Sequence, residues 1–152
     1  MIIRPSAYFC KNNWIELNKQ IEIQIIDLLK ERIPALLGIY IFGSYANNSM
    51  TPESDIDIAF LTYQKISPVE KWKIQEELAS ILIQDVDLID LKDATTILRT
   101  EVVEKGKLIF SADSYQINHF VMTTYSMYAD LNESRQDILT DYNEKYGRDS
   151  NQ

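Results

Sequence analysis

Residues 37–61 read LGIYIFGSYANNSMTPESDIDIAFL, and the fold turns on how this stretch is parsed. Leu37 to Phe42 is a short apolar run of β-branched and aromatic residues that stops at Gly43-Ser44, the pattern of a buried strand entering a turn. Residues 47–54, rich in Asn, Ser, Thr and Pro, predict a loop. Residues 55–61, DIDIAFL, then alternate: Ile56, Ile58 and Phe60 point one way, and Asp55, Asp57 and Ala59 the other. A second strand with two carboxylates on one face follows from that alternation.

Upstream, Trp14, Leu17, Ile21, Ile25 and Leu28 recur at intervals of three and four with polar residues between them, so the spacing predicts an amphipathic helix over 14–32, ended before Pro34. Downstream, Ser67-Pro68 opens a second helix whose inner stripe is expected at Val69, Trp72, Leu78, Ile81 and Leu82. Asp85 to Leu91, DVDLIDL, reads as a third strand with Asp85 and Asp87 on one face and Asp90 on the other. A helix from Ala94 to Lys105 stops at Gly106, and Lys107 to Phe110 forms a short strand. The tail from Ser114 to Tyr146 reads as one long or once-broken helix, apolar at Phe120, Tyr128, Leu131 and Ile138. Strands alternating with helices place the chain in the α/β (α+β) class, a small mixed sheet with helices packed on it. One domain is expected over residues 1–152, with 114–146 as a C-terminal helical extension.

Composition limits what this fold can do. The chain has 152 residues, 15 Lys and Arg against 23 Asp and Glu, and a net charge of −8. Nucleic-acid binding through phosphate contacts needs concentrated cations that are missing here, so no direct nucleic-acid binding is expected. One cysteine, Cys10, allows no disulfide within the chain and points to a reducing cytoplasm. Residues 33–52 carry no charge but contain too many polar and turn residues to span lipid, and the N-terminus lacks the features of a secretory signal. No membrane association is expected.

An acidic protein that handles a polyanion needs another source of positive charge. Two aspartates at i and i+2 on a strand lie about 6.6 Å apart along the backbone, close enough for their carboxylates to converge on one ion. At about 5 Å and an effective dielectric near 20, two such charges repel by roughly 3 kcal/mol, so the pair calls for cations. Hard oxygen ligands suit Mg²⁺, with Mn²⁺ as the alternative, and one histidine with one cysteine cannot make a zinc site. Either Asp85 or Asp87 can supply a third carboxylate on this pattern. A Gly-Ser turn ahead of the pair lets phosphate approach backbone amides, with the Ser44 hydroxyl as a further donor. Two ions bracketing an in-line displacement at an α-phosphate make nucleotidyl transfer the expected reaction class.

Gly43-Ser44, ten intervening residues, Asp55-Ile56-Asp57 and the later VDLIDL strand resemble the signature of the polymerase beta-like nucleotidyltransferase superfamily. The short length and the Glu-Lys-Gly-Lys-Leu-Ile-Phe segment are most similar to its minimal (MNT) branch, over about residues 20–130. The resemblance implies a polymerase beta-like nucleotidyltransferase fold, with Asp55, Asp57 and Asp87 as metal ligands and catalytic carboxylates and Gly43 and Ser44 holding the triphosphate. It further implies an antitoxin that moves AMP from ATP, with Mg²⁺ at two sites, onto a tyrosine hydroxyl of a HEPN ribonuclease toxin. Two other readings are a binding module that neutralises its toxin by covering it, and a transferase acting on a small molecule such as an antibiotic. Many minimal members carry arginine soon after the Gly-Ser pair, where this chain has Tyr45, Asn47 and Asn48. Cys10 and His119 have no sequence partners that would make them reactive, and the tail tyrosines Tyr115, Tyr125, Tyr128, Tyr142 and Tyr146 read as a packing or partner-binding face. The acids among them, including Asp130, Glu133, Asp137 and Asp141, form a solvated face able to meet a basic partner.

Overall fold

The computed structural model describes residues 11–47 and 53–147, with side chains described from Leu17 onward, so Cys10, Asn48 and the side chain of Trp14 lie outside the described residues. The elements run α1 (Lys11–Arg32), β1 (Leu36–Phe42), a 3-10 turn (Gly43–Tyr45), β2 (Ile56–Thr62), α2 (Pro68–Leu82), β3 (Val86–Asp90), α3 (Thr96–Lys105), β4 (Lys107–Ser111) and α4 (Ser114–Tyr146). The sheet order is β3-β2-β1-β4. β1 pairs antiparallel with β2 and β4, while β2 pairs parallel with β3 through α2. The expected mixed sheet forms, with helices on both faces.

Alternation along the strands divides the core in two. Ile39, Ile41, Ile56, Ile58, Phe60 and Leu88 pack against Ile25 and Leu29 of α1 and Ile74 and Leu78 of α2. Tyr40, Phe42, Ala59 and Leu61 take the other face, beneath Val102 of α3 and Ile117 of α4. A strand buried on both faces explains why β1 reads as a continuous apolar run. Arg32 ties α1 to α2 by ion pairs with Glu70 (2.9 Å) and Glu77. This guanidinium holds the Glu70 carboxyl below its usual range.

Several boundaries and faces differ from the sequence expectation. Asp55 and Asp85 each fall one residue ahead of their strands, because the parallel ladder begins at Ile56 opposite Val86. Thr95 caps α3 by accepting from the Leu98 amide, so that helix starts at Thr96 and not at Ala94. Leu17 is exposed, whereas Leu29 completes the buried face of α1 and Ile33 is buried just past its end. On α2, Val69, Trp72 and Ile81 face solvent and Ile74 takes the core position, because the helix presents only a narrow stripe to the sheet. Ile138 is exposed as well, since α4 runs on unbroken past the sheet. Asp90 is buried, with one oxygen accepting from the Lys92 amide, so it caps the turn that follows β3.

Ile83 ends α2 in the left-handed region at φ 52° and ψ 43°. A β-branched side chain is strained there by about 1 kcal/mol or more, and this one is exposed and gains little packing in return. Ile83→Gly is therefore expected to raise unfolding stability by about 1 kcal/mol, read from urea denaturation midpoints at unchanged slope.

Candidate functional site

The register of three strands assembles the site. Phe42, the last residue of β1, sits opposite Asp57 of β2, which sits opposite Asp87 of β3. Asp57 shares its face with Ala59 and Leu61, and Asp87 shares its face with Ile89, so both carboxylates belong to the face covered by α3 and α4. The helices leave this end of the sheet partly open: Asp57 is half-buried and Asp87 is exposed.

Directly after Phe42 the chain turns at Gly43 with φ +70°. A Cβ at Gly43 would lie 2.2 Å from Oδ2 of Asp57, so the turn presses its α-carbon against that carboxylate. Only glycine meets both demands. The turn continues as a single 3-10 turn closed by the Ala46 amide donating to the Gly43 carbonyl (3.2 Å), in place of the longer helix that would align several amides. Ser44 stands half-exposed at its centre.

Burial pushes the Asp57 carboxyl above its usual range, and the charges of Asp87, Asp55 and Glu101 push it further in the same direction. These causes locate the acids relative to one another. Asp55, Asp57 and Asp87 share one electrostatic neighbourhood, and Glu101 of α3 is a fourth member that the sequence reading missed. No linear motif contains Glu101; its position follows from α3 packing Val102 inward on the same face. Asp85 turns elsewhere, into a cleft of about 330 Å³ lined with Glu53, Ser54, Ala79, Ile83 and Gln84. Among the described residues, no three His, Cys, Asp or Glu side chains are gathered to coordination distance. Asp55, Asp57 and Asp87 are therefore near enough to repel but stand apart as side chains. Hard oxygen donors under mutual repulsion, one of them partly desolvated, form a set that suits a divalent ion of the Mg²⁺ type.

Tyr45, in the stretch where many minimal members carry an arginine, packs on the opposite side of the sheet from Asp57. Its ring is buried among the residues beneath α1, and its hydroxyl donates to Oδ1 of Asn18 at 2.8 Å. Burial, aided by the charge of Glu22, pushes the phenol up to about 12. Tyr45 thus braces the Gly-Ser turn from behind and contributes no charge to the site. His119 is exposed on α4.

The sequence pattern described as Polymerase beta, Nucleotidyltransferase matches residues 23–115. With strand order, Gly-Ser turn and acidic pair all in place, the chain belongs to the polymerase beta nucleotidyltransferase family. Protein adenylyltransferase MntA of Shewanella oneidensis is 41% identical over 120 residues, which is 79% of this chain and 86% of that relative. A chain from the crystal structure of a toxin-antitoxin with AMP-PNP superposes with a TM-score of 0.74 at 41% identity, covering 79% of this chain and 96% of that one. A chain from the complex of tri-AMPylated Shewanella oneidensis HEPN toxin with MNT antitoxin superposes at 0.71 with 39% identity, covering 82% and 97%.

Two variants probe the turn. Tyr45→Phe is expected to cost about 1 kcal/mol at neutral pH through the lost hydrogen bond. The folded state keeps Tyr45 protonated to about pH 12 whereas the unfolded chain ionises near 10, so its stabilisation is complete below pH 10 and is lost as pH climbs toward 12. Denaturant melts across that window should show a decline shallower in Tyr45→Phe than in wild type by about 2 to 3 kcal/mol. Gly43→Ala should force the turn off Asp57 and weaken ATP binding by about 10-fold or more, measured by titration calorimetry with Mg²⁺.

Proposed function

We propose that this chain is an antitoxin that transfers AMP from ATP to a tyrosine hydroxyl of a cognate HEPN ribonuclease toxin and thereby neutralises it. The observation that carries this reading is the facing pair Asp57 and Asp87 beneath the Gly43 turn, in a chain 41% identical to MntA over most of both lengths. The donor, ATP, is supported by the solved relative that contains AMP-PNP. An ATP-dependent reaction and a single cysteine support a cytoplasmic setting for it.

Asp55, Asp57 and Asp87 would hold two Mg²⁺ ions, with Mn²⁺ as a substitute. When bound, such ions offset the phosphate charge that residues 45–54, which contain no arginine, cannot offset, and they polarise the α-phosphate for attack. Gly43 lets the triphosphate approach the backbone, and the Ser44 amide and hydroxyl donate to its oxygens. The acceptor tyrosine, with an ordinary pKa near 10, gives up its proton toward the Asp87 carboxylate as it attacks. The new bond joins the tyrosyl oxygen to the α-phosphorus, the bond from that phosphorus to the β-phosphate oxygen breaks, and pyrophosphate leaves. Asp87 is favoured over Asp85 as the third carboxylate because Asp87 raises Asp57 electrostatically while Asp85 borders a separate cleft.

Transfer to a small molecule is less well supported, since the relative matched over 86% of its length carries no large additional domain for such a substrate. Coexpression of the toxin with wild-type chain should give a mass increment of one or more AMP units. Asp57→Asn should lower transfer by roughly two orders of magnitude or more. Its melting temperature should be no lower than that of wild type, because the substitution removes a half-buried charge repelled by its neighbours. Full transfer by Asp57→Asn would refute the assignment, and an unmodified but silent toxin would point to neutralisation by cover.

A further inference from the structure

Among the described residues, Ala35 and Ile83 are the non-glycine positions with a positive φ. At Ala35 that conformation serves the turn into β1, where its carbonyl accepts from the Tyr63 amide. Ile83 has no comparable return. Its amide donates to the Ala79 carbonyl, a bond that glycine would make equally well, while its β-branched side chain is 75% exposed. A strained residue that the fold does not need points to a task outside the fold.

Ile83 lines the cleft of about 330 Å³ that also takes in Glu53, Ser54, Ala79, Gln84 and Asp85. Its walls are fastened to their neighbours: the Gln84 side-chain amide donates to the Ser54 carbonyl at 2.5 Å, and the Ile56 amide donates to the Asp85 carbonyl at 2.9 Å. The cleft is therefore preformed, and its volume lies at the small end of ligand sites. Glu53 and Asp85 give it two carboxylates, and no lysine or arginine lines it. A cationic side chain beside an apolar one matches that lining.

Position decides whose side chains those are. The cleft abuts the acids, since Ser54 precedes Asp55 and Asp85 lies two residues before Asp87. In the sheet order β3-β2-β1-β4, the Gly43 turn leaves the end of β1 and the cleft lies at the start of β3, with β2 and its Asp57 between them. In-line displacement sets the attacking oxygen opposite the leaving pyrophosphate. With the triphosphate on the Gly43 turn, the acceptor hydroxyl arrives from the β3 side, over Asp87 and past this cleft. We infer that the Ile83 cleft recognises the acceptor: it seats residues flanking the target tyrosine of the partner, an apolar one against Ile83 and a basic one against Glu53 and Asp85. The inference rests on the proposed AMP transfer and names what selects the tyrosine.

Steady-state AMP transfer to the ribonuclease encoded by the adjacent gene tests it, with KM measured separately for that protein and for ATP. Ile83→Gly and Ile83→Asn both suit the left-handed backbone and remove the apolar side chain. Each should raise KM for the ribonuclease about 10-fold at unchanged kcat and unchanged KM for ATP. Ile83→Leu, which keeps an apolar side chain, should stay within about twofold of wild type. Glu53→Gln with Asp85→Asn should raise the same KM about 5-fold and flatten its salt dependence. Urea midpoints guard against misfolding, because Ile83→Gly should unfold later than wild type while it recognises the acceptor less well. Wild-type KM for the ribonuclease in either the Ile83 variants or the acid pair overturns the inference. A rise in KM for ATP also overturns it, by making the cleft a nucleobase pocket, as does a fall in kcat alone in the acid pair, by placing Asp85 among the metal ligands. If wild type moves no AMP, the transfer reading and this inference fail together, whereas transfer with an unmoved KM sinks this inference alone.

Discussion

The parallel ladder between β2 and β3 holds Asp57 opposite Asp87 against the repulsion of their charges, and the rest of the molecule keeps that ladder from slipping. A one-residue slip of β3 along β2 would turn Asp87 toward the aliphatic core beneath α1 and α2 and take Val86 and Leu88 out of it. Those apolar partners make the shift costly, since each fully buried aliphatic side chain is worth about 1.5 to 3 kcal/mol. The crossover helix adds a polar pin: Gln75 of α2 accepts from the Leu88 amide at 3.0 Å, one residue past Asp87. The acidic site is thus stabilised by residues that carry no charge.

The two faces of the sheet divide the labour. On one side α1 and α2 are stapled by Arg32 and close over an aliphatic core, with Tyr45 extending that core under the Gly-Ser turn. On the other, α3 and the docked part of α4 cover the inner strands but stop short of burying Asp57 and Asp87, the first half-buried and the second exposed. The turn between α1 and β1 is satisfied from within the sheet: the buried Thr62 hydroxyl sits 2.8 Å from the Pro34 carbonyl and 3.1 Å from that of Ala35. That contact ties the antiparallel edge of β2 to the start of β1.

Element order, strand faces and the mixed sheet were legible in the sequence because period-two alternation and glycine or proline punctuation are local signals. Ser67-Pro68 at a helix start belongs to that kind, whereas the tail, legible only as one long or once-broken helix, is unbroken over 114–146. The inner face of α2 was not legible, since Trp72 and Ile74 are equally apolar and only the approach angle of the helix decides which is covered. The same limit applies at the site. Asp55, Asp57 and Asp87 could be nominated by spacing, but Asp85 and Asp87 differ only in their neighbours across the strand ends. Glu101 lies 44 positions after Asp57 and comes near it only through packing of α3. Tyr45 looked like a missing phosphate contact and proved to be a buried brace, because nothing in its immediate neighbours reveals which way a short turn rolls.

Gly106 closes α3 with φ −74°, where any residue could sit by backbone preference, but a Cβ there would come within 2.3 Å of the Val102 carbonyl oxygen and 3.3 Å of that of Ile41. The reversal from α3 into β4 is thus wedged against the strand that leads to the Gly-Ser turn. With Thr95 fixing its other end, α3 has no slack at either terminus. Chain length added to this helix would rotate Glu101 by about 100° per residue and strip the fourth acid from the site. Insertions that arise in this fold over evolution should instead settle at the exposed end of α4, well past its last buried position at Thr124.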